Sequence, residues 1–290
     1  MTRPLMMGAV AYAPKVVTIW EGFKEYFRRH DFEFDYILYS NYECQVEAQF
    51  NGTPGKNTID IAWNSPLAWV RADRMARARG QNVRAVAMRD TDCDLTSVLV
   101  VRNDSAISEL SALRGKTVGF GAIDSPQANL IPLDHLRAQG LLAGRDYTAR
   151  RFDVLGGKHG DHIGGEREAA MSLMAGEIDA VWMIDGNHLA FSREGVLPAG
   201  KTRIMARTGA FDHCNFTTSP DASEAQVKRF VELLMGMAWD DPEVRPLLEL
   251  EGLKAWRAGR TSGYALLERA VDDEQFYDAK GDILVRDYRY

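Results

Sequence analysis

The chain predicts an α/β fold, and three features of the sequence carry that prediction. Short apolar runs of strand length recur along its 290 residues. Most are separated by segments whose apolar residues return every three or four positions, as one face of a helix requires. The composition, 46% hydrophobic and 26% charged, supplies material for one large core or two smaller ones, and at this length two lobes are the better expectation.

The elements follow in order. The runs at 5–12, 34–40, 60–64 and 83–89 read as strands, and so do those at 95–102, 116–122, 178–184 and 202–208. Between the first two, APKVVTIWEGFKEYFRRH places Val16, Ile19, Trp20, Phe23 and Phe27 on one helical face. Alternation of this kind builds a layered α/β fold. In DIAWNSPLAWVRAD a strand delivers Asn64 and Ser65, and Pro66 takes the first helical position. GAIDSPQANLIPLDHLRAQGL repeats the device: Ser125 caps, Pro126 opens and Gly140 stops. Pro132 removes a backbone bond inside a helix, so the pattern predicts a short turn over 125–130 and a helix from about 132. No internal repeat, low-complexity segment or long linker interrupts the chain.

Composition bounds the partner. A net charge of -6, without a basic stripe or a Lys/Arg run, argues against nucleic acid and anionic membrane surfaces. Apolar stretches such as LTSVLVV (95–101) fall far short of the roughly 20 residues that span a bilayer. A small-molecule ligand is what remains. The N-terminal stretch reaches Tyr12, Pro14 and Lys15 after a very short apolar run, with no small-residue cleavage site. Cys44, Cys93 and Cys214 make neither a disulfide framework nor a C-x-x-C pair. Both observations point to a cytoplasmic chain as it stands, or to a periplasmic one from which a signal segment has been removed.

The densest chemistry lies in FDVLGGKHGDHIGGEREAAMSLMAGEIDAVWM, from 152 to 183. With a helix starting near Asp161, the residues His162, Glu166, Ala169, Ala170 and Leu173 share a face that runs into a buried stripe. His162 then sits at the edge of the core, and His159 on the looser part of the loop. His159, His162 and Glu166 are where a divalent metal would bind. Histidine pairs in polar loops are more often unmetallated, so no cofactor is expected. In FDHCN, His213 stands beside Cys214. Adjacent side chains usually point apart, so an activated thiolate is not expected there, while His213 or Asn215 facing a ligand is. Around Cys93, the residues Arg89, Asp90, Asp92 and Asp94 read as a solvated loop, with a cation site or a general base among the three carboxylates as the alternative. Tyr12 and Trp63 are aromatic candidates for a ligand wall, with core packing the alternative for Trp63.

Four segments taken together, VAYAP (10–14), IDIAWNSPLAWVRA (59–72), ISELSALRGKTVGFGAIDSPQANLIPLDHLRAQGL (107–141) and the glycine-rich loop with its GEIDAVWM, resemble the phosphonate/phosphate-binding (transferrin-like) branch of the type 2 periplasmic binding protein superfamily. The resemblance covers roughly residues 8–240. It implies two α/β lobes joined by two crossing hinge strands near 98–104 and 204–210, with 1–100 plus 208–290 as lobe 1, 104–204 as lobe 2 and the ligand in the cleft between them. It also implies capture of a small anionic solute, phosphonate-, phosphate- or carboxylate-like, and an ABC permease as partner if the protein is exported. On this reading the ligand contacts are Tyr12, Asn64, Ser65, Ser125, Gln127, His162 and His213, with the helix-opening turns offering backbone N–H groups to an oxyanion. Capping alone also explains Ser65 and Ser125. Where the family carries several hydroxyls in its turn, this chain has Ser125 and Gln127. The fold also hosts soluble enzymes, so the alternative is a cytoplasmic enzyme of the lyase, decarboxylase or hydrolase class, with His162, His213 and Glu166 as its catalytic candidates.

Overall fold

The computed structural model describes residues 3–51, 59–161 and 164–290. In chain order its elements are β1 (Leu5–Val10), α1 (Lys15–Arg29), β2 (Phe34–Tyr39), α2 (Tyr42–Asn51), β3 (Ile61–Asn64), α3 (Pro66–Ala78), β4 (Ala85–Arg89) and β5 (Ser97–Arg102). There follow β6 (Thr117–Phe120), a π-helical turn (Pro126–Leu130), α4 (Ile131–Ala138), β7 (Thr148–Arg151), α5 (Gly164–Ala175), β8 (Ala180–Ile184), α6 (Asp185–Arg193) and β9 (Thr202–Arg207). The chain closes with β10 (Asn215–Thr218), α7 (Glu224–Met235), α8 (Arg245–Glu251), β11 (Trp256–Ala258) and α9 (Ala265–Asp273). Each expected apolar run forms a strand. β7, β10 and β11 are additional.

Two compact units result. The first comprises 1–93, 212–264 and 279–282. Its sheet has the order β11-β4-β10-β3-β1-β2. β1 runs parallel to β2 and β3, while β10 is antiparallel to β3 and β4. The helical face read from the sequence is buried as expected: Val16, Ile19, Trp20, Phe23 and Phe27 enter one core with Phe34, Phe216 and Phe230. Ring centroids of Phe27 lie 4.8 Å from Phe34 and 5.2 Å from Phe230. Each such side chain, fully buried, contributes about 1.5–3 kcal/mol.

The second unit comprises 94–211, 265–278 and 283–290. Its sheet has the order β7-β6-β8-β5-β9. β6 runs parallel to β7 and β8. Val98 and Val100 pack into one core and Leu99 and Val101 into another. β5 is therefore buried on both faces, which is why it reads as an uninterrupted apolar run. The turn at Ser125 forms as Pro132 dictates. The helix proper starts at Ile131, so Pro132 lies in its first turn, where no N–H is needed.

Two features differ from the expected division. The segments read as crossing strands are β5 and β9, paired with each other inside the second unit from Val98↔Arg207 to Arg102↔Thr202. The chain changes unit just outside them, at 93/94 and 211/212. The stretch after 264 was expected to stay in the first lobe, yet 265–278 and 283–290 join the second unit. There the Arg269 guanidinium holds Asp134 of α4 at 2.7 Å. An amphipathic pattern tells which face of a helix is buried, not against what. Among the described residues, no helix is long and apolar enough to cross a membrane.

Candidate functional site

In the first unit, β1 and β3 are parallel, so Tyr12 and Asn64 follow or end strands at the same edge of the sheet. β10 runs the other way and sets Asn215 opposite Asn64, with His213 and Cys214 immediately before it. Tyr12, Asn64, Ser65 and His213 therefore come to one edge, the carboxyl edge of the parallel strands, where open α/β sheets bind ligands. Asn64 is buried in a network: its Oδ1 accepts from Gln45 Nε2 at 2.8 Å, and its Nδ2 donates to Gln49 Oε1 at 3.2 Å. Ser65 caps α3, its Oγ accepting from the Ala68 amide at 3.1 Å. Tyr12 is half-buried, with Lys15 Nζ 5.8 Å from its ring centroid. Trp63 packs in the core, 4.7 Å from Phe216, with the Arg89 guanidinium 5.2 Å from its ring.

Beside this edge lies a cluster the sequence did not predict. His213 Nδ1 is 3.1 Å from Cys214 Sγ and 3.5 Å from Asp92 Oδ1. Arg89 grips both oxygens of Asp92, at 2.6 and 2.9 Å. Asp92 is thus buried rather than solvated. Burial opposes its ionisation, but the Arg89 guanidinium and the His213 ring outweigh that and hold the carboxyl at about 2. His213 and Cys214 converge because they precede β10, where the strand alternation that separates neighbours has not begun. Cysteine and aspartate meet the same ring nitrogen, so no orienting group stands opposite a nucleophile. Asp92, His213 and Cys214 are also the one metal-ligand-type trio among the described residues, their atoms within 4.8 Å. Arg89 already neutralises the carboxylate, which makes the trio an ion pair with a histidine beside it. His213 Nε2 is buried with no hydrogen-bond partner.

In the second unit the carboxyl ends of parallel β6 and β8 lead to the turn 121–127 and directly into α6 at Asp185. The glycine-rich loop packs on the first of these. Asp124, fully buried, accepts through Oδ2 from the amides of Gly157 at 2.6 Å and His159 at 3.2 Å, and from the Tyr288 hydroxyl at 3.3 Å. The loop therefore cradles a carboxylate of its own unit. Gly160 takes a φ of 74°, and a Cβ there would meet Ser125 Oγ at 2.5 Å and Gln127 Nε2 at 2.7 Å. His159 is fully buried rather than loose.

Ser125 caps the π-helical turn, accepting from the Ala128 amide at 3.2 Å. Gln127 Nε2 donates to Gly160 O at 2.8 Å and lies 3.4 Å from Glu166 Oε1. Glu166 Oε2 accepts from the Ile184 amide at 3.0 Å and from Asn187 Nδ2 at 2.8 Å, tying α5 to the start of α6. Helix α5 begins at Gly164, not near Asp161. Ser125, Gln127, His159 and Glu166 are thus brought together, while His162 lies outside the described residues. Three buried acceptors on the one turn have no partner: Asp124 Oδ1, Gln127 Oε1 and Asn129 Oδ1. Asp124 and Tyr288 were missed. An acidic residue before a Ser-Pro helix start is a legible cue for the first, whereas nothing local marks the second.

Known proteins share this architecture. A protein from Prochlorococcus marinus, solved in complex with methylphosphonate, is 17% identical and covers 94% of this chain and 98% of its own, with a TM-score of 0.68. A Xanthomonas citri protein bound to ATP is 17% identical, with coverage of 94% and 98% and a TM-score of 0.70. A binding protein component of a Pseudomonas aeruginosa ABC phosphonate transporter is 13% identical, with coverage of 94% and 87% and a TM-score of 0.63. These likenesses establish the two-lobed α/β fold of type 2 periplasmic binding proteins. The family model described as the periplasmic substrate-binding protein of the phosphonate ABC transporter matches residues 8–264, and the chain belongs to that family.

Proposed function

We propose that this chain receives a small oxyanion, phosphonate-, phosphate- or carboxylate-like, in the periplasm and delivers it to an ABC permease. The observation that carries the reading is positional. Of the residues singled out for ligand contact, the described ones, Tyr12, Asn64, Ser65 and His213 in the first unit and Ser125 and Gln127 in the second, lie at the carboxyl edge of the parallel strands of their unit, and each edge opens a serine-capped helix. Family membership supports the phosphonate end of this ligand class. In the first unit, Tyr12 supplies a wall and His213 Nε2 a polar contact, beside the turn at Asn64 and Ser65. In the second, Ser125, Gln127 and His162 are the contacts.

Thermal melting with methylphosphonate, phosphate, methanesulfonate and acetate tests the proposal. Ligand at a hundred times its dissociation constant stabilises by about 2.7 kcal/mol, enough to raise the melting temperature by several degrees. A panel that leaves the melting point where it was removes the oxyanion reading. His162→Ala should weaken binding at least tenfold, about 1.4 kcal/mol, with the unliganded protein as stable as before. Loss of stability with intact affinity would make His162 structural instead.

A further inference from the structure

The groove along the outer edge of β7 belongs to no part of the site above. β7 ends its sheet, paired with β6, and all four of its residues are exposed. The Thr148 amide donates to Lys116 O and the Phe152 amide to Phe120 O. In a parallel ladder the intervening amides, those of Ala149 and Arg151, then face the open side. Beside that edge lies a cavity of about 720 Å³ with Leu133 and Leu142 as apolar lining, Arg137, Arg150 and Arg151 as its cations and Asp153 and Glu274 as its carboxylates, one cation in excess. Tyr147 lines it too. That side chain is 3% exposed, and its buried hydroxyl has no hydrogen-bond partner. A hydroxyl left in this state is costly until something completes it.

We propose that this groove receives an extended acidic segment of another protein, which adds to β7 as a further strand. The open edge offers alternating backbone donors and acceptors, which any extended chain matches. The three guanidiniums select its side chains. Their present partners are Glu274 for Arg137, Glu177 for Arg150 at 3.1 Å and Asp153 for Arg151 at 3.3 Å, and the three arginines are 40 to 44% exposed. Exposed pairs of this kind are weak and exchange readily. Arginines on an exposed edge also repel a second copy of the same strand, so the groove discriminates against self-pairing while admitting an acidic chain.

The test titrates the full chain with the peptide acetyl-Glu-Val-Glu-Val-Glu-amide. Binding should saturate, and amide exchange at Ala149 and Arg151 should slow at least tenfold. Ala149→Pro removes one outward donor at a place where edge strands tolerate proline, and should weaken binding at least tenfold with an unchanged melting temperature. Reversing both arginines, Arg150→Glu with Arg151→Glu, should do the same. The proposal is overturned if the peptide does not saturate, if those two amides exchange as before, or if Ala149→Pro binds as the parent does. Competition by free glutamate as effective as the peptide also overturns it, by making the groove a small-molecule pocket.

Discussion

The same local device occurs once in each unit, and the two copies end differently. At Asn64-Ser65-Pro66 a strand runs straight into a regular helix of 13 residues, and the Asn64 amide is held on both sides by Gln45 and Gln49. At Asp124-Ser125-Pro126 a π-helical turn intervenes, and the polar side chain is held by the amides of a glycine-rich loop instead. The first turn is finished by side chains of its own neighbourhood. The second depends on a loop that folds back over it and leaves three buried acceptors unpartnered. Buried orphan acceptors are expensive, so the second turn is the one whose energy changes most when a ligand O–H or N–H, or water, completes it. Beside the first turn the orphans are Gln45 Oε1 and His213 Nε2.

The largest expected effect breaks the polar anchor of the first unit. Asp92→Ala leaves the Arg89 guanidinium without its bidentate partner, and removing one member of a buried pair costs about 3–5 kcal/mol. Urea unfolding measures it. A loss below about 1 kcal/mol would show that Glu251, 3.3 Å from Arg89, carries the charge alone. The same carboxylate sets an acid limit. Its folded value, about 2, lies below the usual 3.8, so its contribution is complete above pH 3.8 and disappears as pH falls through about 2. Asp92→Asn should flatten acid unfolding in that window.

An intermediate effect contrasts two glycines. Gly80, in the first unit, has a φ of 65° and open space where a Cβ would go. Gly160 has a similar φ, but its Cβ would strike the Ser125 turn. Both alanine substitutions carry the left-handed backbone cost, about 1–3 kcal/mol. Only Gly160→Ala should also lower affinity for the anion, because it forces the loop off the turn. Equal affinities for the two variants would separate that loop from ligand binding.

The contrast also explains what the sequence made legible. Helix α1, the double-faced β5 and both Ser-Pro helix starts were readable because each is decided by neighbours within a turn or a strand. β7 was not: Thr148, Ala149, Arg150 and Arg151 are all exposed and show no alternation. Asp92 looked solvated because its burial depends on Arg89, which itself leans on Glu251, 162 positions away. The positions of Tyr12, Ser125 and Gln127 at the sheet edges followed from their places beyond strands, and that of Asn64 from its place at a strand's end. The loop's real partner did not, because the anion it cradles is Asp124, 33 positions from Gly157 in the chain.

The smallest effect isolates the tail. Tyr288 reaches Asp124 Oδ2 from the far end of the chain, at 3.3 Å, beside two shorter bonds from Gly157 and His159. Removing the hydroxyl leaves those backbone donors in place, so Tyr288→Phe should cost about 0.5–1.5 kcal/mol, the range of one ordinary hydrogen bond. Amide exchange gives a sharper reading than melting. If the tail helps hold the loop, the Gly157 and His159 amides should exchange faster in the variant, while amides around Asn64 keep their rates. Faster exchange at both turns would mean that the variant loosens the whole protein. Unchanged exchange at Gly157 and His159 would mean that the glycine-rich loop holds Asp124 without the tail.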